Sequence, residues 1–109
     1  MKFQTTCIHG DGPNDATGAV SPAIYCTSTF SHPHVGESTG FNYTRESNPT
    51  HARLEKVMSA LESGVDSLAF SSGMAAIDAV MRLFVSGDHI LTGFDLYGGS
   101  FRLFRSVYE

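Results

Sequence analysis

The sequence predicts an α/β protein: an extended N-terminal arm, residues 1–49, followed by the first part of a mainly parallel sheet domain, residues 50–109. Three observations carry that expectation. Two apolar stripes with the spacing of one helix face fall after residue 50, each followed by a glycine. Short apolar runs alternate with the helices, so the order reads helix, strand, helix, strand, helix. Strands separated by helices of about a dozen residues pair in parallel, through right-handed crossovers, with helices covering the sheet. Before residue 50 there is neither a helical period nor a sustained alternation.

At 109 residues and a net charge of −4, the chain is one domain at most and has no basic cluster to neutralise a nucleic-acid backbone. No apolar run approaches the ~18 residues of a membrane span, and Met1-Lys2-Phe3-Gln4 opens no apolar signal core. A cytoplasmic protein without a membrane partner is expected. Cys7 and Cys26 lack metal-ligand spacing, and two cysteines make no disulfide scaffold, so both are read as reduced thiols and no metal site is expected.

The arm is rich in Gly, Ser, Thr, Asn, His and Pro. Only Ala23–Phe30 has strand-like content, and nothing near it in sequence is suited to bury it. A structureless lead of this length is foreign to a compact domain, so it is expected to lie on another surface, either a further part of the protein or a second subunit. Within it, Tyr43 and Arg45 alternate along an extended backbone and project to one side. A phenol beside a guanidinium makes a fork for phosphate or carboxylate, whereas a tyrosine resting on an arginine stem at the surface is the competing reading.

Asn48-Pro49 is a helix start, with Asn as cap and Pro in the first turn. Leu54, Val57, Met58 and Leu61 then form a stripe to be buried, and Gly64 ends the helix. Lys56 lies off the stripe and reads as a solvated lysine. Val65–Phe70 is the next strand. A helix over about Met74–Ser86 bears Ile77, Val80, Met81 and Phe84, with Gly87 after it. Asp88–Thr92 is a short strand, and beyond the loop through Tyr97 a third helix carries Phe101, Phe104 and Tyr108.

Between the first strand and the second helix stands Ser71-Ser72-Gly73-Met74. The unpaired N–H groups and positive dipole end of a helix N-terminus favour an anion there, phosphate above all, with serine hydroxyls adding donors; an ordinary serine cap explains the same residues. Ligands in parallel sheets sit beyond the carboxyl ends of the strands, where both this turn and the Tyr97 loop fall. Tyr97, flanked by Gly98 and Gly99, is therefore a candidate to lie beside the anion, or else a loop tyrosine on the surface.

Four blocks occur in the order of one family: Gly18–Tyr25 with Thr29-Phe30, Tyr43–Thr50, Ser71–Ala76, and Gly87-Asp88-His89 with Tyr97–Arg102. Over nearly its whole length the chain resembles the N-terminal part of the pyridoxal-phosphate enzymes of cysteine and methionine metabolism, which have the fold-type-I transferase architecture. The resemblance implies that Gly73 and Met74 hold the cofactor phosphate through backbone N–H groups with Ser72 close by. It also implies that Tyr97 stacks on the pyridine ring and handles protons, and that Tyr43 and Arg45 reach the phosphate from a neighbouring subunit. An active site shared across a homodimer, itself half of a tetramer, would then order the arm.

The implied activity is carbon–sulfur chemistry on a small amino-acid substrate, of the cystathionine γ-synthase or cystathionine β- or γ-lyase type, with a homoserine-ester sulfhydrylase as the alternative. Gly99 stands where methionine γ-lyases carry a cysteine, which argues against that member. The only lysines are Lys2 and Lys56, and neither matches the family's cofactor-bearing position. The chain is accordingly expected to be part of a longer enzyme and inactive alone. A short non-catalytic protein that keeps the phosphate turn as a binding or interaction module is the other class compatible with the same residues.

Overall fold

The computed structural model describes residues 2–10 and 16–109, so residue 1 and residues 11–15 of the expected arm lie outside it. Its helices are α1 (Phe3–His9), α2 (Pro49–Glu62), α3 (Gly73–Met81) and α4 (Gly98–Leu103), the last running into a π-helical turn, Phe104–Tyr108. They fall into two compact units, Met1–Ala69 and Phe70–Glu109.

In the first unit, α2 begins where Asn48-Pro49 announces it. Asn48 is extended, and its side chain accepts the Thr50 N–H at 2.8 Å, a cap that compensates one of the orphan donors of the first turn. The end differs from expectation by one residue: Ser63, not Gly64, takes the left-handed conformation, with φ 56°. Helix α1 was not legible, because its residues carry no apolar stripe. It is held by docking on α2: Arg53 donates from Nη2 to the His9 carbonyl. At Gly10, where φ is 60°, a Cβ would stand 2.8 Å from Val57 Cγ2, so only glycine allows that approach.

The strand-like patch around residues 23–30 is left largely exposed, as the sequence reading has it, but its backbone finds a hydrogen-bonding partner. Thr29 and Tyr43 form an isolated antiparallel bridge, with Phe30 N–H donating to Asn42 O at 3.1 Å and Thr44 N–H to Ser28 O at 2.9 Å. The Phe30 and Phe41 rings meet with centroids 5.6 Å apart. Backbone pairing leaves the outer side chains uncovered, and Ile24 is exposed.

The expected parallel sheet is absent among the described residues. Val65–Ala69 runs along α2, its Ser67 hydroxyl donating to the Glu55 carbonyl at 2.6 Å and its Ala69 N–H to Glu55 Oε1 at 2.8 Å. Residues 88–92 are extended and unladdered, with Leu91 fully exposed. The apolar runs specify extended backbone, but a strand exists only when another strand stands about 4.8 Å away to take its hydrogen bonds. The expected burial of the helix stripes also fails: Leu54 is 51 % exposed, and Met81, at 7 %, is the only buried hydrophobic residue among those described.

In the second unit, α3 stops at Met81 rather than near Ser86. Leu83 and Phe84 close i to i+3 turns onto Val80 and Met81. The Val85 N–H, which a continuing helix would send back to Met81, is taken by Asp88 Oδ2 at 2.9 Å, so a local side-chain acceptor competes the helix away.

Candidate functional site

Two of the six expected site residues, Tyr43 and Arg45, fall in the first unit and four, Ser72, Gly73, Met74 and Tyr97, in the second. In the second, Ser72 is extended and caps α3, its Oγ accepting the Ala75 N–H at 3.1 Å, while its carbonyl accepts the Ala76 N–H at 3.1 Å. These bonds occupy the third and fourth donors of the helix and leave the Gly73 and Met74 N–H groups for an outside acceptor. Apart from its chain neighbours and its own helix backbone, no atom lies within 4 Å of where a Gly73 Cβ would be, so no other segment crowds this end of the helix there. The cap is therefore compatible with an anion at this helix end: Ser72 completes the helix, and the two N–H groups ahead of Ala75 stand at its positive end.

Tyr97 sits at the start of α4 and is 72 % exposed. Its ring lies back on the chain: a Cβ on Gly99 would fall 2.5 Å from Tyr97 Cε1 and 3.2 Å from Met74 Sδ. Ser100, buried, donates weakly from Oγ to the same sulfur at 3.8 Å. Met74 is thus the packing link that sets the first turn of α3 against the first turn of α4. Ser72, Gly73, Met74 and Tyr97 are brought together by it.

Further along the two helices, Tyr108 donates to Asp78 Oδ1 at 2.6 Å, and Arg82 Nε lies 3.0 Å from Asp78 Oδ2. The Tyr108 hydrogen bond, then that of Arg82, holds the Asp78 carboxyl below its ordinary value; the bond to Asp78 pushes the Tyr108 phenol up. Sequence reasoning missed this tie because its members lie thirty residues apart.

In the first unit, Tyr43 and Arg45 do come side by side. Arg45 Cζ lies 5.0 Å from the Tyr43 ring centre, and Nη2 is 3.4 Å from the phenol oxygen. Both side chains are exposed, on a groove of about 460 Å³ also lined by Tyr25, Thr27 and Thr44. Stacking and fork are the same arrangement: the ring supports the guanidinium, which stays exposed. Lys2 and Lys56 are both exposed, and Lys56 lies on α2.

Helix-end N–H groups beside an exposed aromatic ring are a geometry that would suit a phosphorylated aromatic group. Residues 4–109 match the family described as Cys/Met metabolism PLP-dependent enzyme, and the chain belongs to that family. The open Gly73 and Met74 donors suit the phosphate of pyridoxal phosphate and the Tyr97 face suits its ring.

The chain is 51 % identical over 108 residues to cystathionine γ-lyase of Bacillus subtilis, an alignment covering 98 % of this chain and 28 % of the relative. It is 47 % identical over 100 residues to the cystathionine γ-synthase/O-acetylhomoserine (thiol)-lyase of the same organism, covering 92 % of this chain and 27 % of the relative. The crystal structure of cystathionine γ-lyase from Lactobacillus plantarum complexed with L-serine is similar with a TM-score of 0.85 at 48 % identity, covering 99 % of this chain and 28 % of that one. The chain therefore spans little more than a quarter of these relatives. No helix among the described residues is long and apolar enough to cross a membrane.

Proposed function

We propose that this chain is the cofactor-phosphate and ring-binding portion of a pyridoxal-phosphate enzyme that makes or breaks carbon–sulfur bonds of amino acids, of the cystathionine γ-synthase or β-/γ-lyase type. The carrying observation is the pair of open N–H groups at the start of α3, tied through Met74 to the turn that holds Tyr97. Gly73 and Met74 donate to the phosphate, and Ser72 keeps them aimed by capping the helix. Tyr97 covers the ring and holds or moves a proton at its phenol oxygen. When bound, the cofactor withdraws electrons from the substrate carbon so that a β- or γ-substituent can leave or be exchanged.

Tyr43 and Arg45 serve a phosphate on a neighbouring subunit, with the arm of residues 1–49 as the intersubunit element, the domain proper starting at 50, and two such dimers forming a cytoplasmic tetramer. Similarity to a γ-synthase that is also an O-acetylhomoserine (thiol)-lyase keeps the sulfhydrylase reaction beside the main one.

Incubation of the full-length protein with cystathionine tests the reaction. Cleavage on the three-carbon side of the thioether leaves a three-carbon keto acid, cleavage on the four-carbon side a four-carbon one, and a synthase instead joins cysteine to an activated homoserine. None of these products from a cofactor-loaded protein would exclude the proposal.

The shared site is tested by co-expressing full-length Arg45→Ala and Tyr97→Ala subunits. Random pairing makes about half of the dimers mixed, and each mixed dimer has one site with both residues intact, so about a quarter of sites recover. Activity equal to the parents' mean would assign the arm to its own subunit.

A further inference from the structure

Asn48 is 3 % exposed, and its side chain makes three hydrogen bonds. Oδ1 takes the Thr50 N–H and Nδ2 donates to the Tyr25 carbonyl at 3.2 Å. Neither backbone partner can reverse its role, so the orientation of the amide is determined. Capping α2 needs only Oδ1. The Nδ2 group does something else: it also donates to Thr44 Oγ1 at 3.1 Å.

Thr44 stands between Tyr43 and Arg45, and both its hydroxyl and its N–H are tied down. Its hydroxyl passes its own proton to the Thr27 carbonyl, and its N–H donates to Ser28 O at 2.9 Å. The Glu46 and Ser47 N–H groups close on the Tyr43 carbonyl at 2.9 and 3.0 Å. Thr50 Oγ1 accepts the Tyr25 N–H at 3.0 Å, fastening the opposite segment to the same helix turn.

We propose that Asn48 is a positioning residue for the Tyr43–Arg45 pair, acting through Thr44 and Tyr25 to hold the guanidinium at the angle from which it meets a phosphate. The inference rests on the reading of Tyr43 and Arg45 as cofactor-phosphate ligands. Asn48 itself touches no ligand. Its Nδ2 bonds join the segment that carries the pair to the first rigid turn of α2, and a loop-borne side chain binds tightly only when its backbone is already in place.

Asn48→Asp separates this role from capping, because aspartate caps a helix as well as asparagine does but offers the Tyr25 carbonyl no donor. In the full-length enzyme the measurement is the dissociation constant of pyridoxal phosphate, read by tyrosine fluorescence or equilibrium dialysis, for Asn48→Asp, Arg45→Ala and the double variant. Expected is a roughly fivefold or larger weakening for Asn48→Asp, the equivalent of a hydrogen bond or two, that adds nothing once Arg45 is already gone.

Additive losses would mean that Asn48 acts on general stability and would overturn the proposal. So would an unchanged constant in Asn48→Asp beside a weakened Arg45→Ala, and in that case the phosphate reading itself survives. No change in Arg45→Ala removes both. Thr44→Val, nearly isosteric and with the cap untouched, carries the test if Asn48→Asp does not fold. It should weaken binding to a similar degree, again only while Arg45 is present, and normal binding in it would also overturn the proposal.

Discussion

Replacing Gly73 by proline removes one backbone donor and almost nothing else. Gly73 is the first residue of α3, the position where proline is best tolerated, because its N–H has no partner inside the helix. Ser72 before it has φ −158° and ψ 157°, the extended conformation that a residue preceding proline requires. Beyond the flanking residues and the helix's own backbone, nothing lies within 4 Å of the missing Cβ. The substitution should therefore leave α3 intact, or stabilise it by about 0.4–1 kcal/mol through the less free unfolded chain.

The lost N–H is a donor to a dianionic phosphate, a charge-assisted bond of about 1.5–3 kcal/mol, which corresponds to a roughly ten- to hundredfold weaker cofactor. The assay is pyridoxal phosphate affinity of the full-length protein by dialysis, with the melting temperature of the cofactor-free form measured alongside. Gly73→Ala is the control that keeps the donor and adds a Cβ. Weak binding in proline, near-normal binding in alanine and no fall in melting temperature would bear the reasoning out. Unchanged affinity in the proline variant would refute the assignment of that N–H to phosphate, and equal losses in both variants would mean that close approach rather than the donor is what Gly73 supplies.

Arg45→Ala in the full-length protein should raise the cofactor dissociation constant roughly ten- to hundredfold, since an outward charged fork is lost, and unaltered retention in dialysis would refute it. Tyr97→Phe keeps the ring and its contact with Gly99, so turnover should fall while cofactor affinity changes little; parallel losses would make Tyr97 a clamp only. Gly99→Ala should displace the Tyr97 ring or Met74 Sδ at a cost of about 1–3 kcal/mol, seen as a lower melting temperature together with weaker cofactor binding.

The Asp78–Tyr108 tie should have two pH edges. Asp78 is depressed, so its contribution is present above about pH 3.9 and is lost as pH falls through its lower folded value. Tyr108 is raised, so its contribution is present below about pH 10 and is lost as pH rises through its folded value. A phenolate absorbance titration, taken as the difference from Tyr108→Phe, should move down in Asp78→Asn, and an unmoved titration would show that the hydrogen bond does not control it.

What was legible in the sequence was local. Asn48-Pro49 and Ser72-Gly73 start their helices where expected, since a cap is decided by one side chain and the two or three N–H groups after it. Tyr43 and Arg45, two positions apart, also meet, but across a turn at residues 44–46 and not along the extended backbone expected. The family blocks were equally readable, being contiguous runs. Features that depend on something distant in the chain were not. Helix α1 stands because Gly10 lets it lie on Val57, and no stripe announces that. The segments at 65–70 and 88–92 have strand composition without strand partners among the described residues, because a side-chain pattern specifies a face but hydrogen bonds need a neighbour.

The site divides in the same way. Sequence named the phosphate turn and the tyrosine, but only the tertiary structure decided that Met74 Sδ joins them through Gly99 and Ser100, or that the second nitrogen of a capping asparagine holds Thr44 between its two functional neighbours. A residue type states which bonds are available. Which partner arrives within 3 Å is decided by backbone from elsewhere in the chain, and that carries no trace in the local order of residues.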